Sequence, residues 1–449
     1  MQKPFFRVVS LKEALSLLEA FDRLPQEHVS LEHAYGRVLA QALTAHEDMP
    51  GFNRSTMDGF AVRSVDTFGA SESSPALLEV VGEVVMGRLC DISLEKGQAV
   101  RVWTGGALPA NADAVVMVEH TEQLDATTIE IFHAVAPYEN VVRIGEDFKT
   151  GTTLLSPGHR LRPQDLGLLA AMGQLTIEVF RKPRVALISS GDEVVPVEQT
   201  PPPGCIRDVN RYVLTSMLQE AFAVPIWMGI APDTLDGLST MIAKGIRCAD
   251  MIMISGGSSM GSRDHVIDAV NAYQDSEIMF HGVAVSPGKP LIAARIGSRP
   301  VIGLPGHPVS AMVGFQQLVV PLLRHIEGES VRKPYLRPTI RATLSRNCPS
   351  KEGRIDFIRV RLKHKDGALL ADPVPGKSGM ISSMVRAHGF IVIDSDSEGL
   401  YRGDGVTVNL CAPWLEKDIE TEHLSRYETA GRCACDFLTT PGQEKLSSL

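Results

Sequence analysis

Several large functional classes are excluded by what this chain lacks. Its 449 residues carry 44 Lys and Arg against 53 Asp and Glu, so there is no basic excess. A protein that grips a phosphodiester backbone needs a basic footprint, and nucleic acid is therefore not expected as a partner. No apolar stretch approaches the run of about 18 residues that spans a bilayer, and no membrane span is expected. The opening MQKPFFRVVSLKEA has no long apolar core and meets acidic residues early, unlike a signal peptide. Cysteine is scarce, with seven scattered residues and no even-numbered disulfide framework. Cys433 and Cys435 form a C-x-C pair without a second pair or a histidine cluster beside it. A reducing, cytoplasmic setting is the plain expectation. There is no Ser-His-Asp elbow, no H-E-x-x-H helix, no zinc-spaced C-x-x-C pair and no fixed-period repeat.

What is present reads as folded protein: 44% of residues are hydrophobic and 22% charged, over a length suggesting about three domains. Ser10 and Glu13 have capping-box spacing ahead of an apolar stripe of Leu11, Leu15, Leu18 and Phe21, which predicts a helix. Short β-rich runs follow at 77–85, 98–103, 113–119 and 128–134, broken by Gly, Pro and Asn. Pro163 then opens a second helix, with Gly173 placed to end it. Packing of the second helix on the first would make the β-rich segment an insertion.

The texture changes at residue 181. Arg184–Ser190 (RVALISS), Asp250–Ser255 (DMIMIS) and Val301–Leu304 are buried-strand runs, each ending in a Gly-containing loop. Helices are expected after Asp208 and over 309–325, so strand, loop and helix recur in the order of a mainly parallel α/β sheet. Ligands of such sheets collect beyond the carboxyl ends of the strands. From 334 to 413 the pattern returns to β, with Ile358, Val360 and Leu362 alternating with Arg359, Arg361 and Lys363. The expected segments are 1–47 with 145–180 (helical and linking), 48–144 (inserted, β-rich), 181–327 (α/β), 334–413 (β) and a flexible tail over 414–449.

Candidate chemistry gathers at the three strand-end loops. In the run Ser255-Gly256-Gly257-Ser258-Ser259-Met260-Gly261, glycines let backbone N–H groups approach an anion, and serines add donors. The bland alternative is a tight turn. Asp192, Glu193 and Asp264 converge on the same edge, where grouped carboxylates beside a phosphate cradle suit Mg²⁺. Read singly, such acids are turn residues or caps. Lys289, in Ser286-Pro287-Gly288-Lys289-Pro290, offers a cation to a phosphate, though a surface lysine is the default. His307, in Pro305-Gly306-His307-Pro308, is a general-base candidate but reads more simply as a structural hydrogen-bonder.

Taken in order, MDGFAV (57–62), TGGALPANADAVVMVE (104–119), RIGEDF (143–148), SSGDEV (189–194), SGGSSMGSRD (255–264), PGKP (287–290) and GLPGHPVSA (303–311) resemble the MoeA family. These are the molybdopterin molybdenumtransferases, similar to the E domain of gephyrin. The resemblance runs from about residue 5 to 412. It implies a multidomain fold with a central MogA-like α/β molybdopterin-binding domain, an inserted β-rich domain and a C-terminal β domain. It also implies an elongated homodimer with a site between subunits. The implied reaction inserts molybdate into adenylylated molybdopterin with Mg²⁺, releases AMP, and hands the cofactor to molybdoenzymes or a downstream cofactor-processing protein. Carried over by motif are the acids Asp58, Asp147, Glu193, Asp208 and Asp264, with Lys289. Thr104, Gly256, Gly257, Ser258, Ser259, Gly261, Pro305, Pro308, Arg359 and Ser378 are carried over as binding positions.

This chain departs from the better-known bacterial pattern at three places. Gly282 and Ser286 stand where two lysines are usual, and His307 replaces an Asn. The readings left open are a subtype using other cations such as Arg263, tungstate as the oxyanion, or cofactor binding without transfer. Adenylylation of molybdopterin, which would consume ATP, is the enzymatic alternative.

Overall fold

The buried runs of the central region fold as the faces of one sheet, and their alternation shows why they look continuously apolar. Residues 7–257, 265–330, 338–411 and 420–421 are described by the computed structural model. The chain divides into two compact units: Gln26–Phe180, and the residues before and after it. In the second of these, a six-stranded sheet runs in the order Val224–Ala231, Arg184–Ser190, Met251–Ser255, Arg299–Leu304, Ile292–Ile296, Ser276–His281. The first four strands are mutually parallel and the last two antiparallel. Val185, Leu187, Met251, Met253, Ile302 and Leu304 face one apolar layer. Their neighbours Ala186, Ile188, Ile252, Ile254 and Val301 face the other. Both faces are covered by helices, so neither alternate position is polar.

Leu235–Cys248 and His265–Asn271 cover the second layer, through Leu238, Ile242, Val266 and Val270. Val209–Glu220 and the long helical run from Pro308 cover the first, and the helix Leu11–Leu18 joins them there with Ala14 and Leu18. The first helix thus belongs to the unit that holds the α/β layer, and the second to the Gln26–Phe180 unit. The stripe of the first is matched by the apolar faces of the α/β layer, whereas Pro163–Ala171 buries Leu169 against Ala34, Leu161 and Ile177. Ser10 caps the first helix by accepting from Glu13 N at 3.1 Å, and the Glu13 carboxylate turns to Arg7 instead of completing the box.

One described helix comes near a membrane span in length and mean hydropathy. Pro308–Ile326 forms 19 helical residues apolar enough to cross a membrane, with two-thirds of an 18-residue window buried inside the protein. It is a core helix of the α/β layer, interrupted by a π-turn at Phe315–Val319.

The C-terminal strands Ile355–Lys365, Ala368–Pro373, Thr339–Leu344, Gly405–Leu410 and Gly389–Ile393 pair successively, and the last returns to the first. The ring buries Val360, Leu362, Ala371, Ile391 and Val408. Val285–Ser286 adds to it in parallel beside Ile355 and Asp356.

Within Gln26–Phe180, a six-stranded sheet runs Ala114–Met117, Gly59–Val62, Gln98–Val102, Ala76–Glu83, Thr128–Ile131, Thr121–Gln123. Phe60 and Val62 face one cluster and Ala61 the other. Gly59 explains the start of MDGFAV: a Cβ there would lie 1.9 Å from the Val116 carbonyl oxygen. Only a glycine lets these two strands approach so closely.

Candidate active site

Beyond the carboxyl ends of the parallel strands lies a cleft of about 920 Å³. Ser190, Ser255 and Pro305, from three adjacent strand ends, all line it, together with the first turn of the helix that begins after Asp208. The position follows from the topology, because loops leaving parallel strands on one edge enclose a common crevice. A second cavity of about 500 Å³ is lined by Leu15, Leu18, Val313, Phe357 and Phe390. None of the sequence-expected residues lines that one.

The cleft brings together Glu193, Asp208, Gly256, Gly257, Pro305, His307 and Pro308. Asp208 is buried and caps its helix, Oδ1 accepting from Arg211 N at 3.0 Å. Pro308 occupies the first turn of the next helix, where a missing N–H costs nothing. Ser378 Oγ bonds His307 Nδ1 at 2.9 Å, and Ser378 O accepts from Val309 N at 3.1 Å. Ser378 thus meets the cleft loop through His307, which is the structural hydrogen-bonding role for that histidine. Arg359 donates to Ser383 Oγ and to Gly376 O, each at 2.6 Å. It orders the 376–383 loop from within, and its burial lowers the guanidinium pKa.

Gly256 has a different role from the one expected. Its N–H donates to Leu304 O at 3.0 Å and so is already committed, leaving no donor there for a phosphate. A Cβ on it would lie 2.1 Å from Ser190 O, and its φ is +98°. Glycine is needed here for close packing of the strand ends. Ser258, Ser259, Gly261, Arg263 and Asp264 lie outside the described residues, as do Cys433 and Cys435.

Asp192 does not line the cleft; its Oδ1 accepts from Asp233 N at 3.0 Å, a turn-stabilising bond. Among the described residues no group of three His, Cys, Asp or Glu side chains is placed to hold a metal. Lys289 is exposed, and its neighbour Pro290 lines the cleft. Gly282 spends its backbone on framework bonds, donating to Leu291 O at 2.7 Å and accepting from Val9 N at 3.1 Å. Arg207 is the cation that lines the cleft among the described residues, and its Nε donates to Val197 O at 3.1 Å.

Asp58, Thr104 and Asp147 belong to the Gln26–Phe180 unit. Asp58 Oδ1 accepts from both Thr104 N and Thr104 Oγ1 at 2.7 Å. These two bonds hold its carboxyl below the usual carboxylate range. Asp147 is exposed, its N–H donating to Met49 O at 3.0 Å.

Cleft residues given no role from the sequence include Ser189, Ser190, Arg207, Asn210 and Asp233. Ser189 Oγ, Ser190 Oγ, Asp208 Oδ2 and Asn210 Oδ1 are all buried without a hydrogen-bond partner among the described residues. Polar side chains closing a buried strand, and the D-x-N spacing at the next helix, were the available signals.

The comparisons with known proteins agree with this layout. Residues 9–173 match the MoeA N-terminal region (domain I and II), 186–325 a probable molybdopterin binding domain, and 341–411 the MoeA C-terminal region (domain IV). This chain belongs to the MoeA family. A molybdopterin molybdenumtransferase of Bacillus subtilis is 32% identical over 388 residues, covering 86% of this chain and 89% of that protein. One from Staphylococcus epidermidis is 30% identical, covering 90% and 97%. The crystal structure of a molybdopterin biosynthesis moeA protein from Pyrococcus horikoshii superposes with a TM-score of 0.76 at 31% identity, covering 90% of this chain and all of that one. The MoeA architecture expected from the motifs is therefore shown: an α/β molybdopterin-binding region, β-rich segments and a C-terminal β domain.

Proposed function

We propose that this MoeA-family chain is a molybdopterin molybdenumtransferase acting in molybdenum cofactor biosynthesis, inserting molybdate into adenylylated molybdopterin and releasing AMP. The observation that carries the reading is the polar floor of the cleft. Four buried polar atoms without partners among the described residues are gathered in one crevice at the strand ends. Each such atom left unsatisfied costs about 1–3 kcal/mol, so a floor of this kind is built for a polar ligand. The substrate carries a pterin, phosphates and a nucleotide, and the cleft is roomy enough for a molecule of that size.

Each group then has a defined task. Glu193 lines the cleft and is exposed. An oxygen donor of this type fits Mg²⁺, which binds one or two carboxylates together with substrate phosphates and polarises the phosphoryl oxygens. Asp192 does not fit that role, its Oδ1 being engaged with Asp233 N. Pro305 and Pro308 stiffen the loop that carries His307, and the Ser378 bond fixes that ring. Asp264, Lys289, Asp58, Thr104 and Asp147 enter the proposal as positions matched by family motif. A homodimer and handover of the finished cofactor belong to the same proposal and rest on the family likeness alone.

The test is single-turnover AMP release from adenylylated molybdopterin with Mg²⁺, comparing molybdate, tungstate and no oxyanion. Release that depends on molybdate is expected; dependence on tungstate alone would change the metal assigned. Tight binding without cleavage under every oxyanion would overturn the transferase in favour of a carrier. ATP consumption with molybdopterin as acceptor would overturn it in favour of an adenylyltransferase.

A further inference from the structure

The cleft floor holds a side chain that neither the motifs nor the family likeness assigns. Asn210 is 7% exposed, and its Nδ2 donates to Gly306 O at 2.8 Å and to Ser255 Oγ at 2.7 Å. A carbonyl only accepts, so the Gly306 contact fixes which end of the amide is nitrogen. The other end, Oδ1, is buried with no partner among the described residues. Two residues earlier, Asp208 spends Oδ1 on its helix cap and leaves Oδ2 equally buried and unpartnered. Both residues line the cleft, as do Ser189 and Ser190 with their unpartnered hydroxyls.

The floor is therefore asymmetric in its demand. One carboxylate oxygen and one locked amide oxygen accept only, and hydroxyls able to donate lie among the same lining residues. Phosphate and molybdate oxygens are acceptors and anionic, so the Asp208–Asn210 pair repels them. Within a molybdopterin-type ligand, the aminopyrimidinone edge of the pterin has the opposite character. It presents two adjacent donors, the ring N3–H and the 2-amino group, flanked by a carbonyl that accepts.

We propose that Asn210 Oδ1 and Asp208 Oδ2 recognise the donor edge of the pterin ring, with a hydroxyl of Ser189 or Ser190 donating to its carbonyl. The inference rests on the reading that molybdopterin occupies this cleft, and it assigns the end of the ligand that enters the floor. Asn210 is here a specificity-determining residue: a pteridine with oxygen in place of the 2-amino group meets an acceptor with an acceptor. Sites built to pair a specific polar group reject the analogue lacking it by large factors.

The experiment is calorimetric titration of the full chain with 6-hydroxymethylpterin, its 2-oxo analogue 6-hydroxymethyllumazine, AMP, and molybdopterin itself. The wild-type chain should prefer the pterin over the lumazine by about tenfold or more. Asn210→Ala should bring that ratio close to one while leaving AMP affinity unchanged. Equal wild-type affinity for pterin and lumazine would overturn the proposal, and that comparison needs no variant to fold. So would molybdopterin binding with no measurable binding of the bare pterin, since recognition would then lie elsewhere on the ligand. An Asn210→Ala loss confined to AMP would also overturn it, pointing to a ribose diol on the floor. Failure to bind molybdopterin at all would overturn the functional reading together with this one, and is told apart by that arm alone.

Discussion

Substituting Gly256 by Ala tests the packing at the head of the cleft with a single methyl group. The added Cβ would lie 2.1 Å from Ser190 O and 3.1 Å from Ser190 C, both backbone atoms of the neighbouring strand. Neither can rotate away, so the strand ends must part. Alanine would also be forced to hold φ near +98°, which costs about 1–3 kcal/mol for a residue with a side chain. Parting the strands strains the Gly256 N–H bond to Leu304 O, a contribution of about 1 kcal/mol. With the packing lost around Ser190, the total comes to roughly 3–5 kcal/mol. Gly257→Ala is the internal control. Its nearest neighbour is a side-chain methyl, Val266 Cγ2, at 3.2 Å, and its φ of +66° lies in the ordinary left-handed region, worth about 1–2 kcal/mol. Urea unfolding followed by tryptophan fluorescence in a chain that keeps only Trp227, on the edge strand of the same sheet, reads both variants. Gly256→Ala should be the more damaging of the two and should also weaken molybdopterin binding. Equal destabilisation, or a Gly256→Ala chain within about 0.5 kcal/mol of wild type, would refute the steric argument.

Two further outcomes follow from the Gln26–Phe180 unit. Asp165 is buried, which raises its pKa, but bonds from Arg162 N, Nε and Nη2 and from His159 Nε2 outweigh burial and hold it well below the usual range. Asp165→Asn should destabilise the unit by about 2–4 kcal/mol at neutral pH. Because the folded pKa is depressed, the wild-type advantage is complete above the unfolded value near about 4 and disappears as pH falls through the lower folded value. Acid unfolding curves of the two proteins should therefore converge at low pH, and a gap that widened there would contradict the assignment. Thr104→Val removes one of the two donors to Asp58, leaving the backbone N–H. The Asp58 carboxyl should titrate at higher pH by NMR in that variant than in wild type, and an unchanged titration would refute the hydroxyl's part.

The central sheet was legible because covering both faces makes the cores of these strands, residues 185–188 and 251–254, apolar at every position, a pattern few other environments produce. The helix over 309–325 and the cap at Asp208 were legible for similar local reasons. Local pattern says nothing, however, about which distant group takes a given donor. Gly256 read as a phosphate donor because its sequence context is that of a cradle, but its N–H is taken by Leu304, 48 positions away in the chain. The stripe of the first helix likewise fixes a face but not its mate, which here is the α/β layer. Closure of the C-terminal strands into a ring depends on Ile355–Lys365 pairing with Gly389–Ile393, again a long-range choice. Asn210 was overlooked because an asparagine in a first helical turn is ordinary; only the unpartnered oxygen, visible in three dimensions, singles it out.

The π-turn at Phe315–Val319 sets a rule for how this segment can change over time. Such a turn is the mark of one residue more than an α-helix needs, and each helical residue advances the chain by about 100°. Because the turn already absorbs that extra residue, deleting one residue within Phe315–Val319 would restore regular winding and leave Leu322, Leu323 and Ile326 in the α/β layer they now fill. A one-residue change elsewhere along the run, with no turn to absorb it, would swing everything beyond it by about 100°. Relatives sharing the fold should therefore show a single-residue gap within 315–319 or none at all through 308–326.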